Sequence, residues 1–310
     1  MRRAGRRVFM PPFEWAILGA ALIAVLAMIA GRLSVGQPDT ERRIPDSVGL
    51  PRFAHVYLVI LENKSPDELA DPSIAPYFTS LIRNSGSTTN YQAVARPSQP
   101  NYLALFSGST QGVDDNNPRN VTATTIADQL EANGLTWHVY AENVPPNCFT
   151  GEFGSDDADG AGIYARKHEP AISFTSIRQD PARCARITDL SSFRAGAANF
   201  NLVVPNLCHD MHDCSVAEGD RFLNGFVSRL LADPDWTADD LLVVTFDESA
   251  SRDRQNGVKT ILAGSGVPAG FTSDLPYDHY SLLRTFQDSW GLGCLAESCE
   301  ATAMTDFFRP

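Results

Sequence analysis

The chain has 310 residues, with 37 acidic and 25 basic side chains, a formal net charge of −12 at pH 7, and 43% hydrophobic residues. This length accommodates one large α/β domain or two small ones around a substantial core. The acidic balance argues against a general nucleic-acid binder, which needs a basic face, so an anionic substrate must be drawn in by a local metal or a few cations.

In chain order, Arg2, Arg3, Arg6 and Arg7 precede an uncharged run from Trp15 to Ala30, which Arg32 ends. Basic residues before such a run predict a signal peptide or membrane anchor over residues 1–31, with the remainder outside the cytoplasm, secreted or held at the outer face of the membrane. Small residues at 27–30 permit cleavage; without cleavage the N-terminus associates with the membrane. A polar, proline-containing linker covers residues 32–52, and a single folded domain is expected over 53–310.

From residue 55 onward, strand-like runs at 55–61, 136–142, 200–206, 240–246 and 260–266 alternate with helix-like segments near 74–85, 99–107, 123–133, 217–232 and 278–290. This alternation predicts an α/β fold, a mostly parallel sheet sandwiched by helices. Gly86 and Gly134 stand where C-terminal helix caps belong. The acidic, Gly-rich stretch 151–162 has no apolar period and reads as a solvated insertion.

Two of the apolar runs exit directly into oxygen-rich side chains: HVYLVIL into Glu62 and Asn63, and DLLVVTF into Asp247 and Glu248. Ligands of parallel sheets bind beyond the carboxyl ends of the strands. Such donors suit one divalent metal, with calcium, magnesium or manganese favoured by ligand hardness and zinc still open. Between these segments, ARPSQPNYLALFSG (95–108) sets Ser98 before a helix whose first turn can hold Pro100. Ser98 then reads as the N-cap, its hydroxyl beside free backbone amides and the positive end of the helix dipole, where an oxyanion is favoured.

Six cysteines agree with an oxidising compartment. Their spacing suggests local bridges Cys208–Cys214 and Cys294–Cys299, leaving Cys148 for Cys184; the alternative for CHDMHDC (208–214) is a zinc cluster. A Ser-His-Asp acyl hydrolase would need a GxSxG elbow, and the nearest approach, GSTQG at 108–112, has threonine in the centre and follows a helix.

Taken together, LENKS, PSQPNYLALFSG, YARKHEP, PNLCHDMHDCS, VVTFDES and DHYSLLRTF, in this order over roughly residues 53–292, resemble the phosphoesterase family of bacterial secreted acid phosphatases and phospholipases C, within the alkaline phosphatase superfamily. The resemblance implies a metal-dependent phosphomonoesterase acting on phosphate esters, phosphoinositide lipids among them, through a phosphoserine; a phospholipase C-type phosphodiesterase using the same site is the alternative, and a non-catalytic, surface-anchored binding protein is a third reading. It implies that Glu62, Asn63, Asp247 and Glu248 hold the metal, and that Ser98 is the nucleophile. Asn101 would contact a phosphate oxygen, and Lys167, His168 and His279 would contact phosphate or protonate the leaving group. Asp210, His212 and Asp213 match the family's DMHD motif without individual roles. Arg96 departs from the histidine that close relatives carry before the Pro-Ser, and CHDMHD replaces a more amide-rich version of its motif. His55 and His138 read as packing residues.

Overall fold

The computed structural model describes residues 49–154, 163–250 and 252–308. The chain divides into Met1–Ile44 and Pro45–Pro310. The expected signal or anchor, most of the linker and most of the acidic stretch (155–162) lie outside the described residues. Among those that are described, no helix is long and apolar enough to cross a membrane.

The continuous apolar runs form the central strands. β1 (Val56–Leu61), β6 (Phe200–Val204) and β7 (Leu241–Phe246) are buried at every position, as strands covered on both faces must be. With β2 (Gly86–Thr88), β4 (Trp137–Ala141), β5 (Ile187–Thr188), β8 (Ile261–Gly264) and β9 (Thr272–Ser273) they build an eight-stranded sheet in the order β5-β4-β6-β1-β7-β8-β2-β9. Only β8 runs antiparallel to its neighbours, β7 and β2. A separate parallel pair joins β3 (Tyr91–Gln92) to β10 (Tyr277–Asp278).

The helices are α1 (Pro76–Asn84), α2 (Ser98–Ser107), α3 (Ile126–Ala132), the single turns α4 (Thr175–Arg178) and α5 (Pro181–Cys184), α6 (Val216–Leu231) and α7 (His279–Trp290). Paired residues of neighbouring strands share a face. One row contains Trp137 and Phe200, whose rings meet Phe106 of α2 and Phe286 and Trp290 of α7. The adjacent row contains Tyr57, which meets Phe193, and Phe193 in turn meets Phe226 of α6; Phe246 on the same face meets Phe78 of α1. Helices α2 and α7 therefore cover one face and α1 and α6 the other, each large apolar side chain so buried contributing roughly 1.5–3 kcal/mol.

Four local findings refine the sequence reading. Gly134 has the left-handed conformation of a terminal cap, whereas Gly86 opens β2 and Ser85 ends α1. Gly108 caps α2 at φ 73°, and a Cβ there would clash with the Leu295 carbonyl oxygen. All six cysteines pair as Cys148–Cys184, Cys208–Cys214 and Cys294–Cys299, so CHDMHDC is a disulfide loop and its thiols are not zinc ligands. His55 pairs with Asp240 at 2.8 Å, and His138 bonds Thr188 of the neighbouring strand at 2.8 Å, both as part of the packing.

Candidate active site

Strands β6, β1 and β7 are adjacent and parallel, so their carboxyl ends open on one place. Glu62 and Asp247 are the next residues after the paired Leu61 and Phe246. By strand alternation both side chains leave on the face covered by α2. Both are fully buried. Asn63 takes a left-handed turn (φ 55°) that asparagine tolerates, and this aims its backbone amide at Asp247 Oδ1, 3.0 Å away. Its side-chain Nδ2 donates to Glu62 Oε2 at 2.8 Å.

Ser98 is the first residue of α2, with Pro97 as the N-cap, so the helix starts one position earlier than the sequence suggested. Its hydroxyl donates to Glu62 Oε2 at 3.0 Å and has the Asp247 carboxylate beside it. The amides at the start of α2 are not all open: Gln99 donates its N–H to Asn116 Oδ1 at 3.1 Å.

Burial pushes the Glu62 and Asp247 carboxyls upward, and each is further constrained by its neighbours, Asp247 by the charge of Glu62. Glu248 is pushed up to about 7 by burial and by Asp247, with Arg96 opposing. Asp247 Oδ2 is buried without a hydrogen-bond partner among the described residues. Desolvated carboxylates around a serine, with an orphaned oxygen among them, are costly unless a cation joins them. The Glu62 and Asp247 carboxylates offer the kind of oxygen donor that a hard divalent ion takes. Glu62, His168 and His212 form an overlapping set, with one ligand atom each within 4.8 Å of one another. There Lys167 Nζ already sits 3.1 Å from His212 Nε2, and an ammonium at a ligand nitrogen opposes a second cation.

The other expected residues fall into two groups. Lys167 and His212 are partly exposed at the mouth, and the Lys167 charge acts on both Glu62 and Glu248. His212 Nδ1 pairs with Asp213 Oδ1 at 2.6 Å, leaving Nε2 toward Lys167. Deeper in, His168 lies with Nε2 3.0 Å from Glu62 Oε1 and Nδ1 3.2 Å from Asp210 Oδ2. Burial lowers its pKa to about 4. Asp210 accepts the His212 backbone amide through Oδ1 at 2.7 Å, and its own carbonyl accepts from Glu62 N at 2.8 Å.

Two expected contacts are replaced by framework roles. The Asn101 side chain accepts from Val94 N and Ala95 N and donates to Ala95 O and Pro97 O, so its amide is spent on the loop before Ser98 and does not reach for phosphate. His279 is fully buried, with Nε2 2.6 Å from the Asp247 carbonyl and Nδ1 3.0 Å from Tyr91 Oη. With both ring nitrogens engaged, it supports the end of β7 and is not placed to protonate a leaving group. Sequence reasoning passed over Tyr102, whose hydroxyl donates to Glu62 Oε1 at 2.7 Å; its position one turn after Ser98 was the available signal.

Residues 70–293 match the Phosphoesterase family. The chain belongs to that family. It is 34% identical to the phosphatidylinositol-3-phosphatase of Mycobacterium tuberculosis over 263 residues, covering 84% of this chain and 84% of that protein. It is 31% identical to an acid phosphatase of Aspergillus fumigatus over 269 residues, 84% of this chain but only 59% of that protein's length. Its fold is similar to that of a protein in the alkaline phosphatase superfamily from Vibrio parahaemolyticus, with a TM-score of 0.52 at 14% identity, over 85% of this chain and 73% of that one. This Phosphoesterase family chain thus carries the expected architecture, with β8 as the antiparallel exception.

Proposed function

We propose that this chain is a divalent-metal-dependent phosphomonoesterase that works through a phosphoserine at Ser98. The observation that carries the reading is the helix-terminal Ser98 hydroxyl seated between the buried carboxylates of Glu62 and Asp247. When bound by Glu62, Asp247, Asn63 and Glu248, the metal supplies Lewis-acid charge that favours the serine alkoxide and offsets phosphoryl charge.

The chain's own residues do the remaining work. The Ser98 hydroxyl gives its proton to water, Oγ attacks phosphorus, and the bond from phosphorus to the leaving oxygen breaks with its electron pair kept by that oxygen. Lys167 lies where it can hold a phosphoryl oxygen. Asp213 holds His212 through Nδ1, and Nε2 contacts Lys167 Nζ at 3.1 Å; when Lys167 turns to a phosphoryl oxygen, Nε2 is released to carry a proton to the leaving oxygen and to take one from the attacking water in the second half-reaction. Water then cleaves the phosphoserine, releasing phosphate and restoring Ser98. Phosphoinositide lipids are the substrate class suggested by the mycobacterial relative's name. Work outside the cytoplasm accords with three disulfides and with the basic, apolar N-terminus.

Hydrolysis of matched aryl phosphate monoesters and diesters, by the wild type and Ser98→Ala, after chelation and after return of single metals, tests the proposal. Monoester turnover that needs metal and disappears in Ser98→Ala supports it. A preference for the diester favours the phospholipase C-type alternative, and activity surviving Ser98→Ala removes the nucleophile. No turnover with any metal leaves a binding protein.

A further inference from the structure

Helix α2 touches Glu62 twice. Ser98 and Tyr102, one turn apart on the same side of the helix, donate to the two oxygens of that one carboxylate: Ser98 Oγ to Oε2 at 3.0 Å and Tyr102 Oη to Oε1 at 2.7 Å. Tyr102 is 1% exposed. Its ring lies parallel to the His168 imidazole, with centroids 5.3 Å apart and planes 17° apart, and His168 Nε2 approaches the same Oε1. The Oε1 edge of Glu62 is thus enclosed by Tyr102 and His168, whereas Oε2 faces Ser98 and Asn63.

We propose that Tyr102 is a positioning residue that fixes the Glu62 carboxylate so that it offers Oε2 alone to the cation beside Ser98. This rests on the metal-dependent reading above. Holding a ligand through an outer hydrogen bond sets its orientation and basicity, and loss of such a partner typically costs about 10–100-fold in metal affinity. One-oxygen carboxylate donation suits manganese or magnesium, which need near-octahedral order; calcium accepts carboxylates through one or both oxygens. Freeing Oε1 should therefore penalise manganese more than calcium.

The test is calorimetric titration of the chelated full chain with Mn²⁺ and with Ca²⁺, for wild type and Tyr102→Phe. The expected result is a Kd for Mn²⁺ weakened about 10–100-fold with a smaller loss for Ca²⁺, so that the ratio of the two constants moves. General loosening of α2 would weaken both ions alike. An unchanged Kd, or an equal loss for both ions, overturns the proposal; absence of metal binding by the wild type instead overturns the metal-dependent reading and the proposal with it. Should Tyr102→Phe fail to fold, 3-fluorotyrosine in place of Tyr102 gives a ¹⁹F signal in an otherwise unaltered protein. A shift of that signal on saturation with Mg²⁺ is expected, and its absence overturns the proposal.

Discussion

Arg96 reaches Glu248 at 3.1 Å and, with the same guanidinium, donates to the carbonyls of Ser249, Ala250 and Asp253 at 2.7, 3.2 and 3.1 Å. The residue two before the nucleophile is therefore stitched to the turn that follows β7. This clasp needs a planar fork with several donors. Arg96→Ala is expected to lower kcat/KM about 10–100-fold, the scale of losing charge-assisted hydrogen bonds that hold a site residue. Arg96→Lys should recover little of it, because a single nitrogen with three donors cannot span the four acceptors that two guanidinium nitrogens reach. Steady-state kinetics on a monoester checks both; a value within twofold of wild type for Arg96→Ala would show that Glu248 and its turn hold themselves.

Asn101 offers a test that separates framework from phosphate contact. Its side-chain amide binds four backbone groups of residues 94–97. Asn101→Ala strands those groups in a half-buried loop, at a cost of about 1–3 kcal/mol. Denaturant unfolding should show this loss, accompanied by a fall in kcat from a misplaced Ser98. A residue that only touched phosphate would raise KM or lower kcat while leaving stability unchanged.

The sequence disclosed what continuous patterns encode. Five apolar runs became β1, β4, β6, β7 and β8, and the five expected helices are present, because burial on both faces and amphipathic period leave long signatures. Strands β2, β3, β5, β9 and β10 have only two or three residues, too few for any period. The reversed direction of β8 was equally hidden, since an apolar run has no polarity. Glu62 and Asp247 were legible as strand exits. The duties of Asn101, His279 and Tyr102 were not, because each depends on which backbone or carboxylate the fold brings within 3 Å, and residue type alone does not report that.

His212 and its partner Asp213 make a prediction about leaving groups. A proton donor matters when the departing oxygen is basic and hardly at all when it departs as a stable phenolate. His212→Ala should therefore cost about 10²–10⁴-fold on an alkyl phosphate and far less on p-nitrophenyl phosphate. Lys167→Ala should instead affect both esters alike, as loss of a charge that binds the phosphoryl group. Parallel losses for His212→Ala on the two esters would assign it to phosphate contact.

His138 sets a limit on acid stability. It sits on β4, half-buried, with Nε2 bonded to Thr188 and its ring stacked on Tyr140; burial, aided by Arg186, lowers its pKa to about 4. In the unfolded chain it titrates near the ordinary value of about 6.5. Between these values the unfolded state binds a proton that the folded state refuses, so stability falls as pH drops from about 6.5 toward 4 and is fully present above that window. Allowing for partial exposure, the contribution is on the order of 1–2 kcal/mol. His138→Gln is expected to lose some stability at pH 7 through the lost stacking, yet to decline less than wild type on acidification. Urea unfolding of both proteins at pH 7 and pH 4.5 measures the difference, and parallel declines would show that other groups, the buried carboxyls included, set the acid limit.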